Sequence, residues 1–184
     1  MRTQLLVAAT CLIGCSKPGA APEPKPPEVT ARPAVPADLA VPDDHKLALV
    51  ATARGVQIYD CVADAAGGLA WKLHAPRADL FDQAGAQIGT HFGGVDKNLP
   101  AGPYWEAKDG SRVHAGKPAS APNPGAIPLL RLEAADTFGN GIFARVSFVQ
   151  RLATSGGVAP EGACDGGKQT EVAYTAQYYF YTAP

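Results

Sequence analysis

The chain has 184 residues, enough for one well-buried domain and short for two. Its 16 Lys and Arg stand against 17 Asp and Glu, for a formal net charge of −1, and no basic run occurs. That speaks against the charged face a nucleic-acid reader needs, so no nucleic-acid partner is expected. Only 18% of residues are charged while Gly (20) and Pro (17) are abundant, a composition that favours turns and strands over long helices.

At the start, Arg2 precedes a short apolar run over residues 5–13. The run is too short to span ~30 Å of hydrocarbon and reads as a secretory segment. Leu12-Ile13-Gly14-Cys15 follows and resembles a bacterial lipobox. The resemblance implies that residues 1–14 are a lipoprotein signal peptide and that Cys15 becomes the acylated first residue, carrying chains such as palmitate. Each buried acyl CH₂ contributes ~0.8 kcal/mol, so the lipid bilayer is an expected partner. Ser16, rather than Asp, follows the cysteine and points to the outer membrane of a bacterial envelope rather than the inner. Residues 15–42 hold eight prolines and few large apolar groups. Proline lacks an N–H and fixes φ, so this stretch reads as a flexible tether reaching on the order of 70 Å.

The expected β domain covers residues 43–184. Residues 47–52 alternate as a strand, Arg54-Gly55 allows a turn, and residues 56–61 alternate again. Leu69, Trp71 and Leu73 share a strand face, Gln83-Ala84-Gly85 makes a turn, and residues 87–92 form the next strand. Residues 93–103 are loop-like. Lys108-Asp109-Gly110 reads as a hairpin turn between residues 104–107 and 112–114, because Asp-Gly suits positive φ. Residues 115–125 read as a further Pro/Gly loop, 127–133 as an apolar strand, 138–141 as a turn and 142–152 as the longest strand. Residues 170–181 close the chain, with Val172, Tyr174, Ala176, Tyr178 and Phe180 on one face. The sum is an all-β fold, a single antiparallel β-sandwich or small β-barrel of about eight to ten short strands.

Cys61 and Cys164 are the two thiols of the body. In an exported domain an even pair most simply forms a disulfide, here closing about a hundred residues.

The body resembles a family known only as a domain of unknown function, number 3455. The resemblance rests on Gly55-Val56-Gln57-Ile58-Tyr59-Asp60-Cys61, on Trp71 with Pro76 and Leu80, and on His91-Phe92-Gly93-Gly94. Pro103-Tyr104-Trp105, Asp109-Gly110-Ser111, Gln150-Arg151, Thr154-Ser155-Gly156-Gly157 and residues 174–181 continue it. It implies an exported, mostly β domain with no established activity. Residues 96–102 look like an insertion relative to that pattern, which unsettles any fixed spacing of His91 and Trp105.

Candidate chemistry concentrates between residues 71 and 113. His74, His91 and His114 with Glu106 or Asp109 supply metal-ligand atom types, but no paired-histidine spacing supports a site, and no metal is expected. Asp82, Glu106 and Asp109 could act as a glycosidic acid/base pair, although Asp82 and Asp109 flank glycine turns where carboxylates cap backbone. Ser111 and Ser155 lack a nucleophile elbow. Gly139-Asn140-Gly141 lacks the third glycine and following helix of a dinucleotide fingerprint, so no cofactor is expected. Trp71, Tyr104 and Trp105 offer flat faces for a glycan or small molecule, or else fill the core. His91 and Asp109 lie close to them in sequence, and Arg151 could clamp an anion or pair with Asp60 or Asp165. The set His91, Trp105, Tyr104, Asp109, Trp71 and Arg151 is therefore the candidate ligand site. The expectation is a tethered, non-enzymatic binding domain. A metal- or carboxylate-dependent hydrolase of cell-wall or extracellular polymer is the rival, and a purely structural envelope protein the third reading.

Overall fold

Eight antiparallel strands follow one another around a closed ring in the computed structural model, which describes residues 31–184. The signal peptide, Cys15 and most of the expected tether lie outside the described residues. The strands are β1 (Lys46–Ala63), β2 (Leu69–Phe81), β3 (Gln87–Gly93), β4 (Pro103–Ala107), β5 (Arg112–Asn123), β6 (Ala126–Phe138), β7 (Val146–Gly156) and β8 (Gln169–Thr182). Each pairs with its sequence neighbour, and β8 returns to β1 from Lys46↔Thr182 to Asp60↔Gln169. The all-β expectation therefore holds in its barrel form, which leaves no open sheet edge.

The strands are longer than the sequence suggests, for identifiable reasons. β1 runs unbroken through Gly55, where a turn was expected. A Cβ at position 55 would lie 2.1 Å from the Arg77 carbonyl oxygen and 2.5 Å from Ala78 Cα. Glycine there permits close approach of β2 rather than a reversal of the chain. Residues 115–125, read as a loop, belong mostly to β5. Their irregularity is taken up by register shifts at Gly116/Ala119 and Ala121/Asn123 and by a positive φ of 45° at Lys117, next to Pro118. At β7 the difference is in the other direction. Residues 142–145 form a turn instead of the start of a strand, and this swings Phe143 to full burial in the end of the barrel.

Alternation along each strand sends one set of side chains inward. Ala51, Ala53, Leu80, Trp105, Val113, Leu132, Val149, Tyr178 and Phe180 share the inner core, with small Ala51 of β1 opposite large Tyr178 of β8. A second apolar cluster sits outside the barrel. There Val50, Leu152, Tyr179 and Tyr181 are covered by Leu39 and Val41, which are 0% and 3% exposed. The end of the stretch read as a free tether is thus a strap on the barrel wall. Gln150 Nε2 donates to the Leu39 carbonyl at 2.6 Å, Arg131 to that of Ala40 at 2.9 Å, and Arg32 to those of Val41 and Pro42. Prolines in the strap do not prevent this, because its carbonyls accept from side chains and need no ladder.

The meander gives the barrel two unlike ends. The β2–β3, β4–β5 and β6–β7 turns gather at one, here the latch end. The β1–β2, β3–β4, β5–β6 and β7–β8 connections gather at the other, where Cys61 and Cys164 are joined across 103 residues of sequence. The expected disulfide is present, and it fixes the end of β1 to the loop before β8.

Candidate functional site

The latch end is built from polar groups that satisfy one another. Asp109 Oδ1 accepts from the Ser111 amide (2.8 Å) and hydroxyl (2.6 Å), and Asp109 Oδ2 accepts from the Ile142 amide (2.9 Å). Ser111 Oγ in turn accepts from the Phe143 amide at 3.0 Å, and Ser111 is fully buried. These bonds, the Ser111 hydroxyl first, hold the Asp109 carboxyl below its ordinary value of 3.8. Asp109 is a turn-capping latch between β4–β5 and β6–β7, far in role from an acid/base catalyst. Asp82 does the same for its own turn, accepting from Ala84 and Ala86 amides at 2.8 and 2.9 Å.

From the middle of the interior to the disulfide end, the inner face carries a different polar group. The His91 ring stacks on Trp105, with centroids 4.5 Å apart and planes 12° from parallel, and meets the Tyr178 ring edge-on at 5.1 Å. His91 Nδ1 lies 2.7 Å from the Tyr104 carbonyl, which can only accept, so Nδ1 carries the proton and donates. Burial pushes this imidazole down to about 3, aided by the Arg151 charge and opposed by the Tyr104 bond, so it is neutral at physiological pH. Arg151 stands opposite Tyr178 in the β7–β8 register and donates to the Pro128 carbonyl at 3.1 and 2.9 Å. Neither Asp60 nor Asp165 pairs with it; Asp60 is held by Gln169 and His74.

Tyr104 and Trp105, adjacent in sequence, face opposite ways. Trp105 points inward at 1% exposure. Tyr104, at 2%, lies on the outer face between Phe92 (centroids 5.6 Å) and His114 (4.4 Å) beneath the β3–β4 loop. Trp71 is half-buried on β2 opposite Cys61. Of the six candidate residues the structure brings His91 and Trp105 together inside the barrel, with Arg151 half-exposed beside Tyr178. It sets Tyr104, Asp109 and Trp71 apart from them.

The histidines do not converge. His91 is inside, His114 stacks on Tyr104, and His74 lies on the outer face between Asp60 (Nδ1 to Oδ2, 2.8 Å) and Asp96 (Nε2 to Oδ1, 2.8 Å). A neutral imidazole has one N–H, and a carboxylate only accepts, so two such contacts require the imidazolium. The bond to Asp96, first, and the charge of Asp60 raise the His74 value accordingly. No cluster of three His, Cys, Asp or Glu among the described residues is placed to hold a metal ion.

A groove of about 550 Å³ opens on the outer face of β1–β3, beside this His74 bridge. Arg54 and Val56 of β1, Arg77 and Asp79 of β2, Thr90 of β3 and Asp96 and Lys97 of the following loop line it. Arg77 Nη2 donates to both Glu171 carboxylate oxygens at 2.8 Å, and Lys97 lies 3.7 Å from Glu106. Arg54 lies over the Phe81 ring at 4.9 Å and has no acidic partner among the described residues. None of these groove cations was a candidate from the sequence. The signal was the period-two alternation that puts Arg54 and Val56 on one face of β1, and it was lost by reading Gly55 as a turn. Gln57 and Tyr174 were missed inside the barrel for a different reason. A polar residue among apolar inward positions looks unexceptional until its partners are known.

No curated protein and no solved structure matches the chain. Residues 42–182 match the family described as Protein of unknown function (DUF3455), a span that begins inside the strap and ends with β8. The chain belongs to this family.

Proposed function

We propose that this chain is an envelope lipoprotein, anchored through acylated Cys15 and sorted to the outer membrane, whose barrel binds an anionic extracytoplasmic ligand without transforming it. The ligand, a glycan or small molecule bearing carboxylate or a similar group, occupies the outer groove of β1–β3. Arg54 carries this reading. It is an exposed guanidinium over an aromatic ring, beside two other cations, and it makes no ion pair among the described residues, although Asp79 stands opposite it in the β1–β2 register. Binding is favoured over hydrolysis because the carboxylates proposed for catalysis are otherwise engaged. Asp82 and Asp109 cap turns, and Glu106 pairs with Arg112 at 3.2 Å.

Calorimetric titration of the full chain with polygalacturonate tests the groove. Binding that weakens about tenfold in Arg54→Ser, and weakens with added salt, is the expected result. Equal binding by the variant would remove the groove from the account. Fractionation tests the anchor. Cys15→Ser should appear in the soluble fraction, and its continued sedimentation with membranes would refute lipidation.

A further inference from the structure

Four buried side-chain atoms inside the barrel have no aligned hydrogen-bond partner among the described residues: Gln57 Nε2, Trp105 Nε1, and the hydroxyls of Tyr174 and Tyr178. Their residues are 1%, 1%, 3% and 1% exposed. They also belong to one neighbourhood. The Trp105 and Tyr178 rings are 5.3 Å apart. A Cβ placed on Gly157 would sit 2.8 Å from Tyr174 Cβ and 3.1 Å from Gln57 Cγ, so those two side chains flank the same glycine. The Tyr174 hydroxyl lies against that of Tyr178, and Arg151 lies against Tyr178, close enough for each contact to shift the ionisation of these phenols.

All four atoms can donate. An amide NH₂ and an indole N–H only donate, and burial pushes both phenols up, so they keep their protons. Arg151, half-exposed at the rim, adds a positive charge with no carboxylate partner among the described residues, and the Pro128 carbonyl occupies only its Nε and one terminal nitrogen. A buried donor left unpaired costs as much as a lost hydrogen bond, and native interiors hold few of them. Four together beside an unneutralised guanidinium leave this neighbourhood short of acceptors and of negative charge. A carboxylate supplies both, with about four lone-pair sites on two oxygens. Water brings a proton to place for each one it accepts, and no charge. Eight strands enclose an interior that side chains can fill or that can hold one small ligand.

We propose that the barrel interior around Tyr178 is a second binding site, distinct from the outer groove, that takes one small carboxylate with Arg151 at its mouth. Tyr174, Tyr178, Gln57 and the Trp105 indole donate to its oxygens.

Trp105 provides the readout. In the full chain with Trp71→Phe, Trp105 is the remaining tryptophan, and its indole N–H gives one resonance in a ¹⁵N-labelled sample. Titration with sodium acetate and sodium benzoate, against sodium chloride at matched ionic strength, should move that resonance saturably with a carboxylate and not with chloride. Affinity should fall about tenfold or more in Arg151→Met and in Tyr178→Phe, while Arg54→Ser leaves it unchanged. Tyr178→Phe removes one oxygen and keeps the ring, so it tests the site even if Arg151→Met fails to fold. A resonance indifferent to both carboxylates, meaning a space that holds water only, would overturn the proposal. So would undiminished binding in Tyr178→Phe, or loss of the effect in Arg54→Ser, which would move the carboxylate to the groove.

Discussion

The latch end and the disulfide half of the barrel interior use polar side chains to opposite ends. At the latch, Asp109 and Ser111 exchange bonds with each other and with the Ile142 and Phe143 amides, and the result is a plug. From the middle of the interior toward the disulfide, Gln57, Trp105, Tyr174 and Tyr178 are equally buried but leave four donors without an aligned partner among the described residues. Satisfied buried polar groups specify architecture, whereas unsatisfied ones persist only where something else offsets their cost. The latch is thus part of the scaffold, and the disulfide half is where the fold keeps bonding capacity in reserve.

The largest expected effect comes from cutting the staple that holds the reserved half together. Cys61→Ser frees a loop closed across 103 residues and should cost about 4–5 kcal/mol in urea denaturation. A loss under about 1 kcal/mol would mean that the neighbouring backbone bonds, such as Cys61 N–H to the Lys168 carbonyl at 2.8 Å, hold this end without it. At the latch, Ser111→Ala leaves the buried Phe143 amide without its acceptor and should cost about 1–3 kcal/mol in the same assay. No change would show the latch to be dispensable.

Smaller effects separate the two ends by the sign of their pH dependence. Asp109 has a depressed folded value, so its contribution is present above the ordinary 3.8 and is lost as pH falls through the folded value. Stability measured from pH 5 downward should therefore decline less steeply in Asp109→Asn than in the parent. His74, which ties the β3–β4 loop to β2 at the disulfide end, has a raised value. Its contribution is complete below the ordinary 6.5 and is lost as pH rises through the folded value. Amide exchange in residues 94–98, corrected for intrinsic base catalysis, should speed up over that upper range in the parent and show no such step in His74→Gln.

Much of the fold was legible because it rests on local patterning. The alternation of Val172, Tyr174, Ala176, Tyr178 and Phe180 identifies the inner face of β8 directly, and Asp109-Gly110 marks its turn. The misread positions share one cause. Gly55 and the Gly116–Pro118 stretch are punctuation in sequence, yet in the barrel they allow close packing and a bulge within continuous strands. Nothing local separates those uses, because the deciding contact, Ala78 against Gly55, comes from another strand. Leu39 and Val41 were likewise hidden among prolines, their burial depending on an apolar patch formed by β1, β7 and β8. In the site, His91 and Trp105 stood out by residue type, and their stacking could not have been read from a spacing of fourteen positions. Arg54 and Tyr178 were overlooked because their importance lies in partners they lack.

The reserve itself is tested most directly by the stability of Tyr178→Phe, measured by urea denaturation with and without sodium benzoate. Without ligand the variant should be as stable as the parent or slightly more so, because a buried hydroxyl with no aligned partner has been removed. Benzoate should stabilise the parent more than the variant. A loss of about 1–3 kcal/mol in the ligand-free variant would contradict this expectation, since that is the cost of breaking a hydrogen bond the Tyr178 hydroxyl already makes within the protein.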